Sequence, residues 1–314
     1  MKTVSIIIPA YNEQESLQTL YSYLCKLTDS LKQYNWEILF VNDGSNDNTE
    51  CIINGLIEQD PRIATVILSR NFGKEAAMLA GFDYATGDCA IILDADLQHP
   101  ISAIPQMLQY WEEGYDDVYA RRRTRGDNSR LRKFLSRTYY LLLQRSSNID
   151  VLPDVGDFRL LDRKCIDTLK TLREQCRYTK GMYAWIGYKK KEIVCDQQER
   201  IAGSSKWSFF SLFNLAIEGV TSFSVTPLRI SSILGFIISI IAFIYMIVII
   251  AKTLIWGDPV AGYPSLMCII LFLGGIQLLS LGIIGEYLGR IFNETKNRPT
   301  YIAREYKKQH HDQK

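Results

Sequence analysis

Apolar residues fall in short unbroken runs through the first part of the chain and in two long runs near its end. Val4 to Ile8, Glu37 to Val41, Ala64 to Leu68 and Cys89 to Leu93 have strand length and end in turn-forming residues, as strands buried on both faces do. Asp117 to Ala120 reads as a later strand. Between them the pattern predicts helices. One is amphipathic, follows the loop Pro9 to Glu13 and ends near Asp29. A second starts from the turn chemistry between Asn42 and Thr49, and a third follows the loop Ser69 to Lys74 and runs to about Ala85. Strands alternating with helices predict an α/β fold with a doubly wound, mostly parallel sheet. Ligands of such sheets collect beyond the carboxyl ends of the strands. Pro9 to Glu13, Asp43 and Asp94 to Gln98 are all placed there.

The long runs change the picture. Neither Ile230 to Ala251 nor Pro264 to Gly285 contains a charged residue, and about 20 helical residues cross a hydrocarbon core. The connector, Lys252 to Tyr263, carries Gly257, Pro259 and Gly262, as a tight helical hairpin would. Arg229 precedes the first run, and Arg290, Lys296, Arg298, Arg304, Lys307 and Lys308 follow the second. The positive-inside rule then puts both ends in the cytoplasm. Trp207 to Val225 gathers Ser208, Ser211, Asn214, Glu218 and Ser222 on one stripe against an aromatic remainder, which suits a helix lying in the membrane interface. The expected organisation is a cytosolic domain over 1–206 and a juxtamembrane helix over 207–228. Two spans over 229–290 (about 230–252 and 264–286) and a basic cytosolic tail over 291–314 complete it. The apolar run at the N-terminus is too short for a signal peptide and is closed by Pro9. A bacterial inner-membrane, multi-pass protein with both termini cytoplasmic is the expectation.

A net charge of +2 over 314 residues gives no support to a general nucleic-acid binder. The seven cysteines are odd in number and lack C-x-x-C spacing, so neither a disulfide framework nor a zinc site is indicated. No G-x-G-x-x-G or G-K-[ST] loop appears, which removes the main support for dinucleotide or P-loop chemistry. What stands out is Asp94-Ala95-Asp96-Leu97-Gln98-His99-Pro100 at a strand end. Alternate residues of an extended segment point the same way, so Asp94, Asp96 and Gln98 are candidates to hold Mg²⁺ or Mn²⁺ with a substrate phosphate. The plainer reading is a strand end and turn, where Asp and Pro are common. Arg121 to Arg137 carries eight basic residues against one acid. A solvated charge run is the usual explanation. Its place after a strand, on a chain with a membrane anchor, favours contact with phosphate or lipid head groups.

The ordered motifs Pro9-x-Tyr11-Asn12-Glu13, Asn42-Asp43-Gly44-Ser45, Asn71-Phe72-Gly73-Lys74 and Asp94 to Pro100 resemble the glycosyltransferase family 2 enzymes that load sugars onto polyprenyl phosphate. Dolichol-phosphate mannose synthases are among their relatives. The tail Gly285 to Arg290, with Arg298-Pro299-x-Tyr301, is similar to the bactoprenol glucosyltransferase branch. Asn42 departs from a pattern in which relatives often have Asp; Asp43 keeps it. The resemblance implies a GT-A-type fold, a nucleotide-sugar donor and a polyprenyl phosphate acceptor. It puts Pro9, Tyr11, Glu13, Asp43, Lys74 and Ala95 on the donor nucleotide. Asp94, Asp96 and Gln98 fall on the metal and diphosphate. Arg121, Arg132 and Ser136 fall on the acceptor phosphate, as do Arg200, Ser205 and Lys206 in a loop closing over both substrates. Asp157 falls near the reacting centre; on the residues alone it reads equally as a cap or turn residue. The implied reaction is inverting transfer of a hexose, glucose from UDP-glucose, to undecaprenyl phosphate by a homo-oligomer such as a tetramer. Other readings are the same transfer from a different sugar donor, a chain-extending synthase, or a carrier or scaffold without activity. The absence of Q-x-x-R-W and of further spans disfavours the synthase.

Overall fold

A computed structural model describes residues 1–122, 155–175, 177–195, 226–256 and 262–309. Eight strands form one sheet: β1 (Lys2–Ala10), β2 (Tyr34–Asn42), β3 (Ile63–Leu68), β4 (Cys89–Ile92), β5 (Asp117–Arg122), β6 (Val155–Asp162), β7 (Lys190–Cys195) and β8 (Ala303–Lys308). Their spatial order is β7-β5-β6-β4-β1-β2-β3-β8. β4, β1, β2 and β3 pair parallel, as the apolar runs predicted. β6 and β8 are antiparallel insertions, against β4 and β3 respectively.

The two faces of the parallel strands bury different residues. Ile6, Ile8, Ile38, Phe40 and Ile91 face one core. It is closed by α1 (Leu17–Ser30), α2 (Thr49–Gln59) and α4 (Ile104–Glu112) through Leu20, Leu24, Ile53, Leu56, Met107 and Trp111. Ile7, Leu39, Val41 and Ile92 face the other. There α3 (Lys74–Tyr84), α5 (Arg163–Thr171) and α6 (Thr179–Trp185) supply Met78, Phe82, Ile166, Leu169 and Met182. Each such aliphatic or aromatic side chain contributes about 1.5–3 kcal/mol on burial. α3 lies very close to β1: a Cβ at Gly81 would stand 2.2 Å from Ile7 Cγ2.

Strands β6, β7 and β8 lie outside the apolar pattern because charges interrupt them. β8 falls within 291–314, read as a basic tail, and it closes the β3 edge. Arg304 meets Glu50 at 2.6 and 2.7 Å, Lys308 reaches Glu37 at 3.4 Å, and Tyr306 packs on Tyr84.

Two long helices, α7 (Thr226–Trp256) and α8 (Tyr263–Thr295), form an antiparallel pair. Among the described residues, Phe272–Thr295 is long and apolar enough to cross a membrane, and Ser231–Tyr245 is a shorter apolar stretch. Phe236, Ile241, Phe272 and Leu278 are exposed. The expected interfacial helix over 207–228 lies almost wholly outside the described residues. Strand direction fixes which edge of the sheet β7 ends on and α8 returns to. β7 ends at Cys195 on the carboxyl edge of the sheet, and the chain next described is α7. After α8 the chain re-enters at Ala303, paired with Leu68 at that same edge.

Candidate functional site

The carboxyl edge is laced together by its own loops. At the tip of β2, the Asp43 amide donates to Ala10 O at 2.9 Å. Asn12 N donates to Ser45 Oγ at 3.0 Å, Asn46 N to Asn12 Oδ1 at 2.9 Å and Glu13 N to Thr49 Oγ1 at 2.9 Å. Asp43, 3% exposed, accepts from the amides of Phe72 at 2.7 Å and Gly73 at 2.9 Å. Burial pushes its carboxyl above the ordinary range, further than those amides and Arg70 draw it down. Gly44 has φ +64 and a Cβ there would lie 2.4 Å from the Arg70 carbonyl carbon, so the two loops touch only because this residue has no side chain.

Lys74 follows those two amides and joins the loops to the acidic segment. Its Nζ lies 2.6 Å from Asp94 Oδ1 and 2.8 Å from Asp157 Oδ2. The sheet brings the acids together. β6 pairs with β4 through Arg159 opposite Ile92, so Asp157 stands beside the strand end that carries Asp94. Burial works against the Lys74 ammonium, but the two carboxylates outweigh it and hold it well above the usual lysine range. Burial likewise opposes both acids. Lys74 and His99 bring Asp94 well below the carboxylate range, and Lys74 with Lys180 brings Asp157 down. Asp157 Oδ1 is buried without a hydrogen-bond partner among the described residues.

β4 ends at Ile92 and the chain turns over 95–97 instead of staying extended, leaving Asp94, Asp96 and Gln98 half-buried while Ala95 and Leu97 are buried. Leu97 adopts φ 61, a left-handed conformation costly for a branched residue, and its buried side chain holds the turn in place. The amide of Gln98 donates to Asp96 Oδ1 at 3.1 Å. Among the described residues no three His, Cys, Asp or Glu side chains are grouped as a metal cluster. Two carboxylates and a side-chain amide oxygen are nevertheless the donor types Mg²⁺ or Mn²⁺ accept, with the remaining ligands taken from water and substrate phosphates.

Pro9, Tyr11, Glu13, Asp43, Lys74, Asp94, Ala95, Asp96, Gln98 and Asp157 thus lie at one edge, contributed by the ends of β1, β2 and β4, the start of α3 and the start of β6. Ala95 is 3% exposed, so it packs beneath the turn that carries Asp94 and Asp96. Arg121 is at the same edge, at the end of β5, with its guanidinium 3.3 Å from Glu192. Arg132, Ser136, Arg200, Ser205 and Lys206 lie outside the described residues. Three residues without an assigned role also belong here. His99 places Nε2 3.2 Å from Asp94 Oδ2 and stacks on Phe158 at 4.9 Å, a contact hinted at only by its place in the acidic motif. Glu75 accepts from Thr179 N at 3.1 Å and from the Thr179 hydroxyl. Burial, and then the nearby Asp157 charge, push the Glu75 carboxyl up to about 7. Nothing in the spacing of Glu75 and Thr179 signals that contact.

Residues 5–170 match glycosyl transferase family 2, and residues 226–291 match the GtrB C-terminal hairpin. The chain is 44% identical over 305 residues to a prophage bactoprenol glucosyl transferase homolog of Escherichia coli K12, covering 97% of this chain and 99% of the relative. It is 43% identical over 301 residues to the bactoprenol glucosyl transferase of Shigella phage SfII, covering 96% and 97%. Among solved structures, glucosyl-3-phosphoglycerate synthase of Mycobacterium tuberculosis superposes with a TM-score of 0.47 at 18% identity, covering 70% of this chain and 78% of that one.

Proposed function

Since the chain belongs to glycosyl transferase family 2, we propose that it moves a hexose from a nucleotide sugar, UDP-glucose, to a polyprenyl phosphate at the cytoplasmic membrane face, with inversion at the anomeric carbon. The observation that carries this reading is the crevice itself. An acidic strand end, a lysine bridge and a third acid meet at the sheet edge where β7 ends and where the chain returns from α8. Relatives named bactoprenol glucosyl transferase match almost the whole chain, hairpin included. The exposed apolar side chains of α7 and α8 suit contact with lipid, and the return of the chain from α8 to the carboxyl edge through β8 supports a cytosolic domain beneath a two-helix anchor.

The residues divide the work. Tyr11, Glu13 and Asp43 line the nucleotide end, where the laced loops form a fixed wall. Asp96, Gln98 and Asp94 would hold a divalent cation against the donor diphosphate, and that cation supplies charge neutralisation of the leaving group. A phosphate nucleophile is already ionised at neutral pH and needs no strong base. Asp157 suits that chemistry, because its pairing with Lys74 keeps it ionised and makes it a poor proton acceptor. It orients; it does not need to take a proton. The basic run from Arg121 to Arg137 begins at the crevice edge and the chain re-enters there at Val155, which supports its part in holding the acceptor phosphate in line.

The test is a donor screen with the purified full chain, labelled nucleotide sugars and undecaprenyl phosphate. Label from UDP-glucose should enter the lipid extract and EDTA should abolish this. Transfer from another donor alone would replace the sugar assignment, and no lipid-linked product from any donor would overturn the reading.

A further inference from the structure

Between α5 and α6, residues 172–175 and 177–179 touch three things at once. Arg173 forms a double ion pair with Asp83 of α3, both contacts at 2.7 Å. The same carboxylate accepts from the Tyr301 hydroxyl at 2.6 Å, and Tyr301 lies on the link between α8 and β8. Gln175 donates its amide to Glu294 Oε1, at 2.8 Å, in the last turn of α8, and its side-chain amide to the carbonyl of Arg298. Arg177 turns back to the Leu172 carbonyl and closes the segment on itself. At its end, Thr179 gives its amide and hydroxyl to Glu75, the residue beside Lys74. Charge-assisted hydrogen bonds of this kind are the stronger ones.

We propose that the end of the membrane helix positions the crevice through this segment. Glu294 holds Gln175 against the end of α8, the Asp83 carboxylate shared by Arg173 and Tyr301 ties the segment to α3, and Thr179 in turn fixes Glu75 and the helix start that presents Lys74 to Asp94 and Asp157. Glu294 is a positioning residue, since it acts on the crevice through the Gln175 amide. The apolar hairpin is then part of what shapes the site as well as an anchor. The turnover arm of the test below rests on the crevice being the place of transfer; the exchange arm does not.

Amide hydrogen exchange on the full chain in lipid nanodiscs tests this. Glu294→Ala should speed exchange about tenfold across 172–179, including Thr179 at the far end, the scale set by losing a hydrogen bond to a charged group. It should also lower kcat several-fold. Glu294→Gln keeps an oxygen for the Gln175 amide and should restore both. Tyr301→Phe, a milder change that serves if Glu294→Ala does not fold, should loosen the same segment to a smaller degree. Unchanged exchange at Thr179 in the folded variants, or a Gln variant no better than Ala, would overturn the proposal, whatever the donor proves to be.

Discussion

Lys74 faces two carboxylates, and its removal leaves like charges side by side. Each charge-assisted contact is worth about 1.5–3 kcal/mol where it is shielded from water. The Lys74 side chain is 43% exposed, so solvent screening reduces that. Lys74→Met should therefore cost about 1 kcal/mol in thermal unfolding and lower turnover about 100-fold by misplacing Asp94. Wild-type melting and wild-type turnover together would contradict the bridge. Glu75 makes a separate prediction. Its carboxyl is raised to about 7 in the fold, from about 4.3 in an unfolded chain, so the fold favours the protonated form. The stability this adds is complete below about pH 4 and is lost as pH rises through about 7, an effect on the order of 3 kcal/mol. Glu75→Gln should flatten the melting temperature across that window. An identical slope in the variant and the parent would show that Glu75 is not the group responsible. His99 was legible as a motif member and its bond to Asp94 was not, because that bond depends on Phe158 from a strand the pattern does not reveal.

At the scale of elements, the parallel centre of the sheet was readable because both of its faces are buried. Ile6 to Ile8 and Ile38 to Val41 are apolar at every position, and no helix of the same length would need that. Strands β6, β7 and β8 were not. Asp157 and Arg159 break the run in β6, while β7 and β8 read as charged surface because they are edge strands with one face in water. β8 has a measurable consequence. It pairs with five residues of β3 from Ala64 to Leu68, and cross-strand pairs contribute about 0.2–1 kcal/mol each, so it adds roughly 1–5 kcal/mol. Ending the chain after Ile302 should lower the melting temperature accordingly and expose an apolar parallel edge that drives aggregation. An unaltered melting curve with a monodisperse product would show that β8 is dispensable.

At the scale of the molecule, the sheet's polarity unites the site with the hairpin. Every parallel strand ends at the crevice edge, β6 and β8 begin there, and α8 joins the sheet through β8 at that edge. The spacing of the motifs made the convergence of Asp43 and Asp94 visible in advance, since both follow parallel strands. It could not show that the segment 72–74 binds one with its amides and the other with its ammonium, because that depends on how closely Gly44 lets two loops approach. The central claim is that this acidic strand end carries the transfer of sugar to lipid phosphate. The most direct measurement is formation of lipid-linked hexose by Asp96→Asn beside the parent, both as folded full chains in the same membranes. The account predicts loss of at least about 100-fold in turnover, as removal of a group that stabilises charge in the transition state produces. Turnover within a few-fold of the parent would contradict it.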